Sequence, residues 1–145
     1  MRIDPSQRGD DKMKKVKAIK CSPYEQATKV IIGNDLDSLQ EAVDGLIELV
    51  YPPMLCEIDE RLVLMCNEEG KLEGLPYSRA LYDTDGELYD IVAGTCYILY
   101  DDGEGGFEDI PDDVIKRVLN DKDWLCWGAP VSIGGEIHWL RSDNE

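Results

Sequence analysis

The sequence has very few of the residues from which common active sites are built. It has a single histidine, His138, and no pair of cysteines at Cys-x-x-Cys spacing, so it lacks the usual ligand sets for zinc. The phosphate-binding patterns GxxxxGK[ST] and GxGxxG are absent, and no Ser or Cys lies in a nucleophile motif. We therefore assign no catalytic residue, no metal ligand and no cofactor from the sequence.

Long apolar runs are also missing. The longest spans residues 91–100 and contains Gly94 and Thr95, which makes it about half as long as a membrane-spanning helix. The N-terminal residues are polar and charged, without the apolar run of a secretory signal. We expect a cytoplasmic protein that does not bind membranes.

Basic residues are scarce and unevenly distributed. The chain has 31 acidic residues against 15 basic ones, a formal charge of −16. Residues 1–20 carry seven bases and three acids, so the remaining 125 residues carry −20. A domain with this charge repels phosphates, which excludes direct nucleic-acid binding. The acidic surface either keeps the protein soluble or binds a basic protein partner.

The five cysteines, at positions 21, 56, 66, 96 and 126, are widely spaced and odd in number. Neither a zinc site nor a complete disulfide framework is indicated. Cys66 and Cys96 lie in apolar segments and are expected to be small, reduced core residues.

The pattern along the chain predicts an α+β fold. Residues 1–12 are expected to be a flexible extension, with Met13 as an alternative start, and residues 13–145 a single domain. One helix is predicted at about 35–44, with Leu36, Leu39 and Val43 on its buried face and Gly45 at its end. A second is predicted at about 111–120.

Strands are predicted from β-branched and alternating apolar segments. Residues 67–70 should turn the chain into a hairpin with residues 71 and 72, residues 78–82 should form a helical turn, and residues 83–86 a tight turn. The run 91–100 suits a central strand covered on both faces. Because strands and helices do not alternate, we expect a mainly antiparallel or mixed sheet with a C-terminal hairpin. The predicted strands are 14–20 (an edge strand), 28–32, 46–51, 61–66, 91–100, 131–133 and 136–140.

Arg79 is the most informative charged residue. It is the only cation between Lys71 and Lys116, within a strongly acidic segment. One interpretation is an ion pair with Asp90 or Asp83. The other is a small-ligand site in which Arg79 receives an anionic or planar group beside Asn67, Asp90 and Thr95.

Three further features carry alternatives. Trp124 and Trp127 either form a protein-interaction surface or cover the core. The acidic loops 83–86 and 101–106 could hold a hard cation, but turn chemistry explains both better.

Several segments occur in an order that resembles a known family. They are KAIK, NDLDSLQEAVDGLIELVYP, LVLMCNEEGKLEGLPYSRAL and DGELYDIVAGTCYIL. Residues 13–100 resemble domain of unknown function 3846, which occurs in bacteria, phages and mobile elements. Ser78 stands where that family usually has Asn, and residues 101–145 are interpreted as an elaboration. The resemblance implies an accessory protein of a phage or an integrative element, and it implies no known reaction.

Two functional hypotheses follow. The first is a non-enzymatic acidic binding protein of a phage or mobile element that acts on a basic host protein. In one version that host protein is a defence component, and in another the acidic protein imitates nucleic acid. The second is a protein that binds or sequesters a small, nucleotide-like ligand. A purely structural role is the third alternative.

Overall fold

The computed structural model describes residues 14–143, so the extension expected at residues 1–12 lies outside the described residues. Within them the chain forms ten strands and four helices. The strands are β1 (Lys15–Cys21), β2 (Thr28–Gly33), β3 (Ile47–Val50), β4 (Leu62–Asn67), β5 (Tyr77–Tyr82), β6 (Leu88–Ala93), β7 (Cys96–Asp101), β8 (Phe107–Glu108), β9 (Gly128–Ile133) and β10 (Glu136–Arg141). The helices are α1 (Leu36–Val43), α2 (Pro53–Cys56), α3 (Asp112–Leu119) and α4 (Lys122–Leu125).

Six strands form one antiparallel sheet. Its order is β2-β1-β7-β4-β3, and β8 pairs with the end of β7. Two further antiparallel pairs, β5–β6 and β9–β10, lie outside this sheet. The predicted α+β class, the mainly antiparallel pairing and the C-terminal hairpin are confirmed.

Both faces of the six-stranded sheet are buried. On β4, Leu62 and Leu64 belong to one apolar cluster, whereas Val63 and Met65 belong to another on the opposite face. The second cluster is covered by α1, and the first by α2, α3, α4 and the β5–β6 hairpin. Because neighbouring side chains of a strand point to opposite faces, β4 and β7 are apolar up to their last residues, Asn67 and Asp101.

The two principal helices lie where the sequence predicts them. In α1, Asp35 caps the N terminus by accepting a hydrogen bond from the N–H of Ser38 at 2.8 Å. Leu39 and Val43 are buried as expected, but Leu36 is 57% exposed. The helix ends with Asp44 in the left-handed conformation (φ 60°), so Asp44 takes the role predicted for Gly45. In α3, the buried residues are Val114, Ile115 and Val118. None of the helices in residues 14–143 is long and apolar enough to cross a membrane.

The prediction that residues 14–20 form an edge strand is wrong. β1 lies between β2 and β7. Val16, Ala18 and Ile19 are fully buried, while the lysines that alternate with them are exposed or partly exposed. Long lysine stems can cross an apolar surface and still deliver their charge to water, so alternation with lysine does not require an edge position.

The hairpin predicted at residues 61–72 is also wrong, because β4 pairs with β3 and β7 and the chain continues after Asn67 in successive turns. Residues 78–82, predicted as a helical turn, belong to strand β5. The tight turn at 83–86 is confirmed, with the Asp83 carboxylate accepting hydrogen bonds from the N–H groups of Asp85 and Glu87.

The apolar run 91–100, predicted as one central strand, is interrupted at Gly94, whose φ of 88° would strain any other residue. Its halves therefore enter different sheets.

Candidate functional site

Arg79 is completely buried, and all five of its N–H donors are used. Nε donates to the carbonyl of Trp124 at 2.7 Å, and the two terminal nitrogens donate to four more carbonyls at 2.6–3.3 Å. The ion pair predicted with Asp90 or Asp83 is wrong, because the guanidinium binds backbone oxygens instead. The other four acceptors belong to Ser22, Glu25, Ser78 and Leu125.

This arrangement fastens two segments that are far apart in sequence. One is the loop after β1, and the other is the end of the short helix α4, whose last carbonyls have no intrahelical partners. No N–H of Arg79 is left to receive a ligand in this conformation. The side chain is a structural clamp.

The four residues predicted to form a ligand site lie in two separate places. Thr95 is near Arg79, since its hydroxyl contacts the hydroxyl of Ser22 at 3.4 Å while Arg79 binds the carbonyl of Ser22. Asn67 and Asp90 instead line a common cavity at the C-terminal end of β4, and neither Arg79 nor Thr95 lines it.

Asn67 connects this cavity to the end of α1. Its amide nitrogen lies 3.2 Å from the carbonyls of Val43 and Asp44 and 3.3 Å from a carboxylate oxygen of Glu73. Its amide oxygen accepts a hydrogen bond from the N–H of Glu69 at 2.7 Å. A Cβ at Gly45 would lie 2.7 Å from the Asn67 nitrogen, so glycine is required there for close approach. Asn67 therefore holds α1, β4 and the loop after β4 together.

Replacing Asn67 with alanine is expected to lower the free energy of unfolding by about 2 kcal/mol, because buried carbonyls at the end of α1 lose their donor. Urea denaturation followed by circular dichroism measures the change. The exposed Asn120, at the end of α3, provides a matched control in Asn120→Ala, for which we expect less than about 0.5 kcal/mol. Equal effects of the two substitutions would contradict the role of Asn67.

The cavity beside Asn67 has a volume of about 190 Å³. Lys71 and Asp90 form an ion pair at its wall. Burial raises the pKa of the Cys66 thiol to about 12, and the nearby Cys96, Glu48 and Asp90 contribute to that rise. Cys66 is therefore a neutral thiol near pH 7 and a poor nucleophile. The charged and polar lining residues are Glu48, Cys66, Asn67, Glu68, Lys71 and Asp90.

Exposed carboxylates surround this end of the sheet, which we call the acidic end. Asn67 brings their backbone segments together, and the N–H of Glu68 donates to the carbonyl of Leu46 at 2.8 Å. The six residues of the acidic end are Glu41, Asp44, Glu48, Glu68, Glu69 and Glu73, all exposed. Leu46 (55%) and Leu72 (87%) are exposed apolar side chains in the same segments, and Leu49 (39%) and Tyr51 (58%) are exposed farther along β3.

Within residues 14–143 the six-stranded sheet has two unpaired edges, which differ in charge. β3 forms the edge at the acidic end, and the base nearest to it in the cavity, Lys71, is paired with Asp90. β2 forms the other edge and carries Lys29, with Lys15 and Lys17 on the adjoining strand, where Lys17 is paired with Asp112 at 3.2 Å. The β3 edge is therefore the more acidic of the two.

The two tryptophans predicted as a pair have different environments. Trp124 is fully buried in the core, and its indole N–H has no hydrogen-bond partner within the described residues. Trp127 is partly exposed and packs edge-on against Tyr24, with ring centroids 5.7 Å apart. Trp124 covers the core, and only the Trp127–Tyr24 pair is accessible.

The acidic loops behave as turns. In the 101–106 loop, carboxylates of Asp101 and Asp102 accept hydrogen bonds from backbone N–H groups of the loop itself. Within residues 14–143 no group of three or more His, Cys, Asp or Glu side chains is arranged to hold a metal ion.

Two features of the structure were not predicted from the sequence: the acidic end and the pairing of Cys21 with Cys96. The acids at 41–48 and 68–73 and the leucines among them are visible in the sequence, but their proximity depends on the pairing of β3 with β4. Likewise, Cys21 and Cys96 are directly opposite residues of β1 and β7, which no local pattern indicates.

Comparison with curated proteins and with solved structures yields no match. A family model described as Domain of unknown function (DUF3846) matches residues 14–122. The match extends through α3, beyond the residues 13–100 that carry the resemblance in sequence. The chain belongs to the DUF3846 family.

Proposed function

We propose that the protein is a non-enzymatic binding protein that receives an extended basic segment of another protein along the free edge of β3. The observation that carries this proposal is the difference in charge between the two sheet edges. A free edge strand presents unpaired N–H and C=O groups, to which an extended segment can add as a further strand. At β3 such a strand would meet the exposed carboxylates of the acidic end.

The side chains at this edge supply contacts of two kinds. Leu49 and Tyr51 offer exposed apolar surface on one face of the strand, and Glu48 places an exposed carboxylate on the other face. A partner strand that alternates basic and apolar side chains would match this order, because alternate residues of a strand face opposite sides. We propose that the partner is a basic protein of the host in which a phage or mobile element resides, where the acidic surface would compete with nucleic acid.

A peptide of alternating lysine and valine, six residues long with blocked termini, serves as the probe. We expect it to shift the backbone amide resonances of Ile47–Val50 in ¹⁵N-labelled protein and to leave those of β2 unchanged. Binding should weaken as salt is raised, since screening reduces attraction between exposed charges. Shifts at β2, salt-insensitive binding, or no binding at low salt would each contradict the proposal.

Neutralising three carboxylates of the acidic end tests the electrostatic part. The variant Glu41→Gln/Glu48→Gln/Glu68→Gln should bind the peptide about tenfold more weakly, a loss of about 0.5 kcal/mol per charge. The control Glu57→Gln/Glu60→Gln/Glu87→Gln changes the net charge equally at exposed positions elsewhere. A similar loss in both variants would mean that only net charge matters.

A second candidate is the small-ligand function, supported by the cavity that Asn67 and Asp90 line. Three carboxylates, Glu48, Glu68 and Asp90, face one base there, and that base is already paired. Such a lining repels phosphate groups and favours an uncharged or cationic ligand over a nucleotide. Arg79 and Thr95 lie outside this cavity and would not contribute.

A further inference from the structure

Cys21 and Cys96 form a buried pair of thiols that the proposed binding function does not use. Cys21 is the last residue of β1 and Cys96 the first of β7, and the two are directly opposite in the antiparallel register. Both are completely buried and free. Opposite residues of antiparallel strands have Cα atoms about 4.5–5.5 Å apart, within the range found for disulfides.

We propose that Cys21 and Cys96 are a redox modification site, at which hydrogen peroxide converts the thiol pair into a cross-strand disulfide. No rearrangement of the sheet is needed, because the strand pairing already places the two side chains on the same face. Cβ atoms of such pairs are about 4.5–5.5 Å apart and those of disulfides about 3.5–4.5 Å, so an approach of about 1 Å is enough.

The surroundings favour Cys21 as the attacking thiol. The hydrogen bond from Cys96 lowers the pKa of the Cys21 thiol, and the Arg79 guanidinium contributes to that lowering. The pKa of Cys96 is raised, so Cys96 retains its proton. The hydroxyl of Ser78 lies 3.7 Å from the Cys96 sulfur. It can accept a hydrogen bond from the Cys96 thiol once that thiol no longer donates to Cys21.

The chemistry needs one peroxide molecule for each disulfide. The Cys21 thiolate attacks one peroxide oxygen, the O–O bond breaks, and the second oxygen leaves as water after taking the proton that Cys21 has released. Cys96 then loses its proton and attacks the sulfur of the Cys21 sulfenic acid. The S–S bond forms, the S–O bond breaks, and the hydroxide leaves with that proton as a second water. Two electrons pass from the two thiols to the peroxide.

Access requires only a local opening. Cys21 adjoins the loop at residues 22–27, in which Tyr24, Glu25 and Gln26 are exposed. Arg79 holds this loop through the carbonyls of Ser22 and Glu25, and the N–H of Ala27 donates to the carbonyl of Leu125 at 2.8 Å. Loops held by a few hydrogen bonds open at lower free energy than the whole domain unfolds. The strand ends therefore become accessible before the core does.

The test treats the folded Cys56→Ser protein, which lacks the more exposed thiol, with hydrogen peroxide. We expect an intact-mass loss of about 2 Da that dithiothreitol reverses. After alkylation and trypsin digestion, residues 21–29 and 80–116 should be recovered as one linked species, since each holds a single cysteine. Cys66→Ser in the same background should leave the link intact, whereas Cys96→Ser should abolish it.

The proposal is overturned if Cys21 and Cys96 are recovered as alkylated thiols while peroxide has oxidised methionine or other cysteines of the same sample. It is also overturned if the linked species joins Cys21 to Cys66 or Cys126. Either result would leave the β3 docking surface untouched, because β4 separates the thiol pair on β1 and β7 from the outer edge of β3.

Discussion

Replacing Arg79 with methionine is expected to lower the free energy of unfolding by about 4 kcal/mol. Methionine fills part of the same space but donates no hydrogen bond, so five carbonyls lose a donor at once. Each buried carbonyl left without a partner costs about 1–3 kcal/mol. The carbonyls of Ser22 and Leu125 keep backbone donors in Glu25 and Ala27, so the total is smaller than five such costs. The change should appear as a lower midpoint in urea denaturation followed by circular dichroism.

Two further substitutions show whether this loss comes from geometry or from charge. Arg79→Lys keeps the charge but places its donors on one nitrogen, which cannot reach carbonyls on both segments, so we expect most of the loss to persist. Arg117→Met removes an exposed arginine with one backbone contact and should cost less than about 1 kcal/mol. If Arg79→Met behaved like Arg117→Met, Arg79 would not be the clamp described above.

Replacing Trp124 with alanine is expected to destabilise the protein by about 3–5 kcal/mol, since a fully buried indole leaves a large cavity among α3, α4 and the sheet. Trp127→Ala is the natural control. It removes a partly exposed ring with one edge-on aromatic contact, and we expect a loss of about 1 kcal/mol. Urea denaturation of the two variants under identical conditions gives the comparison, and equal losses would contradict the assignment of Trp124 alone to the core.

Capping and periodic apolar positions made much of the fold predictable. Asp35 and Pro111 mark the starts of α1 and α3, and the glycine pair at 134 and 135 marks the terminal hairpin. These signals are local, so the neighbouring residues are enough to interpret them.

Two of the errors arose where a polar side chain bonds to distant backbone. The sequence around Asn67 is typical of a turn, but the Asn67 amide donates to carbonyls at the end of α1. The hairpin predicted after Asn67 does not form. Arg79 lies among acids in the sequence, yet its partners are carbonyls, which every residue carries and no sequence pattern distinguishes. The sequence therefore indicated which polar residues are important, but it did not indicate which of them lie close together in the fold.

The position of β7 has a consequence for how the chain folds. β7 is the strand that joins β1 to β4, although more than half of the described chain precedes it. During synthesis, the β1–β2 pair and the β3–β4 pair can each form early, but they share no strand until residues 96–101 have left the ribosome. Over that interval the edge of β4 that pairs with β7 stays unpaired, and α3 and α4, which cover part of one face of the sheet, have not yet been made. Such late, non-local pairing slows folding and exposes the nascent chain to aggregation.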